Sequence, residues 1–156
     1  MKRYSELVAD ALTRVKEIQP WDLDKQLAAG SKPVLLDVRE SAEFAVLHIP
    51  GAINVPRGIL EQSCEWGFDE TLPLLAAGRG LDIVVICRSG YRSALVADVM
   101  QQMGYTGVVS LRTGVRGWND SEQPLVDVAG RPVDADTAEE LLAPRLRPEQ
   151  RGPGGR

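Results

Sequence analysis

Seven consecutive residues, Cys87-Arg88-Ser89-Gly90-Tyr91-Arg92-Ser93, bring together one thiol, two guanidinium groups, three hydroxyls and a glycine. They follow the apolar run Asp82-Ile83-Val84-Val85-Ile86, which has the length of a buried strand, and precede a helical stretch from about Ser93 to Met103. A thiol at such a junction lies beside the free N–H groups of a helix N-terminus, where negative charge is favoured. Thiolate is the nucleophilic form of cysteine, and reactive cysteines favour electropositive, partly exposed settings. The competing reading is a buried structural thiol. The polar continuation after Cys87 and the turn that Gly90 permits favour the reactive one.

The elements that must position this loop alternate along the chain. Val34-Leu35-Leu36-Asp37-Val38, Ala52-Ile53-Asn54-Val55, the strand before Cys87 and Val108-Val109-Ser110-Leu111 read as strands. Helical patterns fall between them, from Pro20 to Gly30, Ser41 to Leu47, Arg57 to Glu65, Glu70 to Ala77 and Val115 to Ser121. Runs apolar on both faces suit parallel strands covered on each side. The alternation therefore predicts an α/β fold with a mainly parallel sheet. Ligands of such sheets bind beyond the carboxyl ends of the strands. Cys87, Asp37-Val38-Arg39 and Arg112-Thr113-Gly114 all fall at such ends.

Tyr4, Leu7, Val8, Ala11, Leu12 and Val15 recur at helical spacing, which predicts an amphipathic helix from about Arg3 to Glu17. Asp134 to Leu142 has the pattern of a helical turn or two, and the stretch from Pro144 to Arg156 offers little apolar surface to bury. The expected organisation is an N-terminal helix extension at 1–17, one domain at 18–126 and a largely disordered tail at 127–156.

The chain has 156 residues and a formal net charge of -4. That length suits one domain, and the charge gives no reason to expect nucleic acid as a partner. Two cysteines and one histidine are too few for a structural zinc site, and no pattern calls for a cofactor. Early acidic residues, Glu6 and Asp10, argue against a secretory signal, and no apolar run is long enough to span a bilayer. A reducing cytoplasm is the expected location, with no membrane partner.

The Cys87–Ser93 loop resembles the active-site loop of the rhodanese (sulfurtransferase) family. Leu36-Asp37-Val38-Arg39-Glu40, Glu43-Phe44 and His48-Ile49-Pro50-Gly51-Ala52-Ile53-Asn54-Val55-Pro56 resemble that family's N-terminal signature. Gly114-Val115-Arg116-Gly117-Trp118 resembles its C-terminal turn, with Thr113 where a second glycine is usual. The resemblance covers about Ile18 to Pro124. It implies a single rhodanese-like domain with a parallel five-stranded core and helices on both faces. It also implies a sulfurtransferase of the thiosulfate type. Cys87 takes the outer sulfur of a small anionic donor as a persulfide and passes it to a thiol or cyanide acceptor, or to a sulfur-relay protein.

On this reading Cys87 is catalytic, and Arg88, Ser89, Gly90, Tyr91, Arg92 and Ser93 bind substrate, with at least one arginine facing the mouth. Arg112 and Arg116 are candidates for a positive rim. Asp37 and Arg39 tie strand ends together near the site. His48 is a turn residue, Cys64 an incidental thiol, and Trp66 and Phe68 are candidates to cover one side of the pocket. Two alternatives stand. One is a non-catalytic rhodanese-like module that binds a partner. The other, ranked behind, is a phosphatase or arsenate-reductase-like enzyme. The phosphatase cradle has one residue more between cysteine and arginine than the four found here.

Overall fold

Ile83, Val84, Val85 and Ile86 are all buried, as are Leu35 and Leu36, because strands covered on both faces have no solvent side to leave polar. The computed structural model, which describes residues 1–154, arranges these strands as expected. In chain order the elements are α1 (Tyr4–Leu12), β1 (Lys16–Ile18), α2 (Pro20–Ala28), β2 (Val34–Asp37), α3 (Ser41–Val46) and β3 (Ile53–Asn54). A 3-10 turn at Arg57–Ile59 leads into α4 (Leu60–Ser63), followed by α5 (Pro73–Ala76), β4 (Asp82–Ile86), α6 (Tyr91–Gln102), β5 (Gly107–Leu111) and α7 (Gly114–Asp120). Last come β6 (Leu125–Val126), β7 (Pro132–Val133) and α8 (Ala135–Leu142).

Five strands form one parallel sheet in the order β1-β5-β4-β2-β3. Alternate residues of β2 and β4 point to opposite faces. Leu36, Ile83 and Val85 pack with Leu60, Leu75, Val96, Ala97 and Met100 on one side. Leu35, Val84 and Ile86 pack with Leu23, Val115, Trp118 and Leu125 on the other. β4 is thus the buried centre of the sheet, and Cys87 is its first residue past the carboxyl end.

The N-terminal segment departs from the expected long helix. α1 stops at Leu12, and Lys16–Ile18 pair in parallel with β5 as the edge strand. A Lys-Glu-Ile sequence carries no strand pattern of its own; the open edge of β5 supplies the partner, and strand preference follows such context. Residues 1–17 are therefore built into the domain. Val8, Ala11 and Val15 are buried, and Arg14 donates to both carboxylate oxygens of Asp98 on α6 at 2.8 and 2.9 Å.

The tail departs too. β6 and β7 form a small antiparallel pair, and Asp134 caps α8 by accepting from the Thr137 N–H at 2.9 Å. Ala138 and Leu142 of α8 enter the core beside Trp118. A helix with two buried positions is anchored, which the polarity of its sequence neighbours obscured. Beyond it, residues 144–154 hold one exposed 3-10 turn at Pro148–Gln150. Gly155 and Arg156, part of the tail expected to be disordered, lie outside the described residues.

Thr113 takes a left-handed backbone at φ 65°, immediately before Gly114 at φ 61°. A β-branched residue there is strained, whereas glycine accepts that region freely. Thr113→Gly is expected to stabilise the protein by about 1 kcal/mol, read as a rise in the urea midpoint at unchanged slope. A lower midpoint would show that the Thr113 hydroxyl bond to the Arg112 carbonyl outweighs the strain.

Candidate active site

The loop after β4 is held by α7 rather than by itself. The Val115 N–H donates to the Cys87 carbonyl at 2.9 Å, and the Arg116 N–H to the Arg88 carbonyl at 3.0 Å. A side chain at Gly114 would collide with the Cys87 and Arg88 carbonyls, so the approach requires glycine. Gly90, at φ 97°, is the N-cap of α6 and turns the chain so that its N–H points back at Cys87 Sγ, 3.0 Å away. Ser93 Oγ lies 3.3 Å from the same sulfur and is itself bonded to Ser110 Oγ of β5 at 2.8 Å. The N–H groups of Tyr91 and Arg92, in the first turn of α6, have no acceptor among the described residues. A sulfur anion at this point meets one aimed N–H, one hydroxyl and the positive end of a helix.

Cys87 is more enclosed than its sequence suggested. The residue is 1% exposed and belongs to the same buried cluster as Leu36, Val38, Val85 and Val96. The expectation of a partly exposed thiol is corrected. Strand β4 ends inside the core, and the loop folds over the sulfur before the chain reaches solvent.

The two loop arginines are also committed differently from expectation. Arg92 makes a two-pronged ion pair with Glu43 of α3, at 2.8 and 2.9 Å, with both side chains about a quarter to a third exposed. That pairing holds the Glu43 carboxyl below its ordinary range. Arg88 turns the other way, and its Nε donates to the Leu142 carbonyl at the end of α8, at 3.0 Å. Ser89 and Tyr91 are exposed at the surface of the loop. Arg116 is exposed beside Ser89 in a shallow hollow, while Arg112 is exposed beside Gln19, Pro20 and Trp21. Of the two rim candidates, Arg116 is therefore the one next to the loop.

Asp37 and Arg39 are both buried, at 0% and 2% exposure. Arg39 donates to both Asp37 oxygens, at 2.8 to 3.1 Å, and to the Leu47 carbonyl at 2.8 Å. Asn54 ties the carbonyls of both residues to β3. The pair fixes the end of β2 against the start of α3 and so sets the position of Glu43. His48 stacks on Phe44 at 3.8 Å and bonds its carbonyl through Nδ1 at 2.8 Å; it is not the turn residue expected, because its main chain pairs with Val126 as an antiparallel bridge, at 2.9 and 3.0 Å. Trp66 and Phe68 are exposed at 60% and 55% on the loop after α4. Cys64 is buried at 0% exposure, and burial pushes its thiol up. Both cysteines are unpaired.

Two residues near the loop were not among the site candidates read from the sequence, although Glu43 lies in the Glu43-Phe44 stretch of the signature. Glu43 stands 49 positions from Arg92, and only its capping bond to the Glu40 N–H has a local signature. Tyr4, from α1, sets its ring edge-on to Tyr91 at 5.3 Å. Burial and the neighbouring Cys87 sulfur push the Tyr4 phenol up, while Arg92 and Arg57 pull it back.

This fold and loop define a rhodanese-type sulfur-transfer domain. Residues 20–121 match the rhodanese-like domain model, and the chain belongs to that family. A sulfurtransferase of Allochromatium vinosum is 30% identical over 116 residues, a match covering 74% of this chain and 99% of that protein. The adenylyltransferase and sulfurtransferase UBA4 of Candida albicans is 31% identical over 103 residues, covering 66% of this chain and 23% of that much longer protein. Among solved structures, a Rhodopseudomonas palustris protein of unknown function, described as a possible tyrosine phosphatase, superposes with a TM-score of 0.72 at 25% identity. That likeness covers 80% of this chain and 94% of the other. No helix among the described residues is long and apolar enough to cross a membrane.

Removing one partner of the buried Asp37–Arg39 pair leaves a charge without compensation. Arg39→Met is expected to cost about 3–5 kcal/mol in chemical denaturation; a loss under about 1 kcal/mol would mean the pair is easily replaced. The Glu43 carboxyl, lowered by Arg92, stabilises the fold above the ordinary carboxylate range. That contribution is lost as pH falls through its folded value. The stability gap between the parent protein and Glu43→Gln should therefore shrink on acidification below about pH 4, measured by denaturant titration at several pH values. A gap that widens on acidification would contradict the pairing.

Proposed function

We propose that the protein is a sulfurtransferase that carries sulfane sulfur as a persulfide on Cys87. The observation behind this reading is the Gly90 N–H aimed at Sγ at the head of α6. Cys87 thiolate attacks the outer sulfur of a donor, and the donor's S–S bond breaks. A thiol or cyanide then removes the sulfur from the resulting persulfide and regenerates the thiolate. Two half-reactions through one covalent intermediate give ping-pong kinetics. The outer persulfide sulfur lies about 2 Å beyond Sγ. It would therefore sit nearer the mouth than the buried thiol, close to the free N–H groups of Tyr91 and Arg92, which would serve it as an oxyanion hole serves oxygen.

Thiosulfate is the simplest donor to assay, with cyanide as acceptor, and a sulfur-relay protein is a natural physiological partner. Two unpaired thiols suit a reducing, cytoplasmic setting. A phosphatase-like activity is the second reading, favoured by the Rhodopseudomonas neighbour. The short cradle and the prior commitment of Arg92 to Glu43 weigh against it.

Intact-mass analysis after thiosulfate treatment should show a gain of one sulfur atom, with thiocyanate formed on adding cyanide. Cys87→Ser should abolish both. Cys64→Ser should leave both nearly intact, because its thiol is buried and biased towards the neutral form. Turnover of an aryl phosphate that disappears in Cys87→Ser, with no mass gain from any sulfur donor, would establish the second reading instead.

A further inference from the structure

Resting on the sulfur-transfer reading, we infer that the sulfur acceptor is a protein whose cysteine lies in an acidic segment, and that this segment seats in a groove running from Trp21 to Ser89. A hollow of about 390 Å³ opens between the start of α2 and α7, with Pro20, Trp21 and Arg112 on its walls. A second, of about 220 Å³, carries Ser89 and Arg116. Thr113, Gly117 and Asp120 line both, so the two form one continuous surface. A side chain at Gly117 would collide with that of Thr113, and its absence keeps the floor low. The groove ends on the loop that holds the sulfur. Ser89 immediately precedes Gly90, whose N–H faces Cys87 Sγ. The Thr113 nitrogen lies 3.1 Å from where a Gly90 side chain would begin, so the two backbones are in contact. The Arg116 N–H is bonded to the Arg88 carbonyl at 3.0 Å.

Charge selects the occupant. Arg88 and Arg92 are held by Leu142 and Glu43. Arg112 and Arg116 stand exposed and enter no ion pair among the described residues. The groove sets one carboxylate against them, that of Asp120. Glu139 shares a separate hollow with Arg116, on the α8 side. On a chain of net charge -4, a local excess of unpaired cations draws an acidic segment and repels a basic one. Trp21, at the far end, is 53% exposed. Trp and Arg are among the side chains that anchor protein–protein contacts. A long, shallow surface suits a polypeptide, whereas a small ligand favours an enclosing pocket. The thiolate of the seated segment attacks the outer sulfur of the persulfide on Cys87. A new S–S bond forms, the old one breaks, and Cys87 leaves as thiolate. The acceptor becomes R–S–SH, and charge, sulfur and the proton balance without any oxidant or reductant.

The test uses the full chain loaded with one sulfur from thiosulfate or polysulfide, and reads by intact mass how fast an acceptor removes it. One acceptor is a capped hexapeptide of one cysteine, two leucines and three glutamates. The others are the same peptide with lysine for glutamate, and N-acetylcysteine amide as an uncharged small thiol, all at equal thiolate concentration. The acidic peptide should react at least about tenfold faster than the lysine peptide, a gap that narrows to about threefold or less in ~0.5 M salt. In the double variant Arg112→Ala/Arg116→Ala, the ratio of the acidic-peptide rate to the small-thiol rate should fall about tenfold. Trp21→Ala should lower that ratio about threefold, and Asp120→Asn should raise it about twofold. Arg131→Ala, at a 77% exposed arginine on the β6–β7 turn, should leave it unchanged. Equal rates for the two peptides, or a ratio that Arg131→Ala lowers as much as the double variant does, overturn the inference while leaving sulfur transfer on Cys87 intact. So does a loaded protein that sediments as a dimer in the parent and as a monomer in Trp21→Ala, which would give the groove to a second copy. No mass gain from either donor overturns both.

Discussion

The main-chain N–H of Gly90, aimed at the Cys87 sulfur, is the contact around which the site is arranged. It exists only because residue 90 adopts a left-handed backbone and because Gly114 lets α7 come close enough to bond the carbonyls on either side of the loop. Without the first, the loop would not fold back on the thiol. Without the second, nothing would hold it there. The parallel sheet contributes the remaining constraint: β4 is its central strand, so its end is fixed on both sides before the loop begins.

Charge around the loop is organised by pairing rather than by accumulation. Buried ions require partners, and Asp37 with Arg39 satisfies that demand within one strand end. The same pair sets the start of α3, and α3 presents Glu43 to Arg92. A chain of fixed contacts therefore runs from the end of β2 through α3 to Arg92 of the loop. The flanking helices have a part in this. α1 places Tyr4 against Tyr91, and the carbonyl end of α8 takes up Arg88. Both helices begin or end outside the family-matched residues.

Much of this was readable along the chain. Continuous apolar runs announced β2, β4 and β5 as buried parallel strands, and the polar turn after β4 marked the candidate site. Asp37 and Arg39, expected to tie strand ends together, form a buried ion pair at the end of β2. The signals that failed were those with weak local pattern. β1 is three residues of Lys-Glu-Ile, and only the free edge of β5 makes it a strand. The helical pattern from Asp134 to Leu142 was legible, but its anchoring was not, because the burial of Ala138 and Leu142 depends on a surface around Trp118 that the rest of the chain builds.

The sequence by itself determined the alternation of elements, the turn at Gly90 and the choice of Cys87 as the candidate nucleophile, because these follow from local patterning and from side-chain chemistry. Tertiary structure alone decided how deeply that nucleophile is buried and where the charges near it are spent. Arg92 meets a residue 49 positions away, and Arg88 one 54 positions away. Ion pairing depends on distance in space, and spacing along the chain carries no record of contacts made only after the sheet has closed.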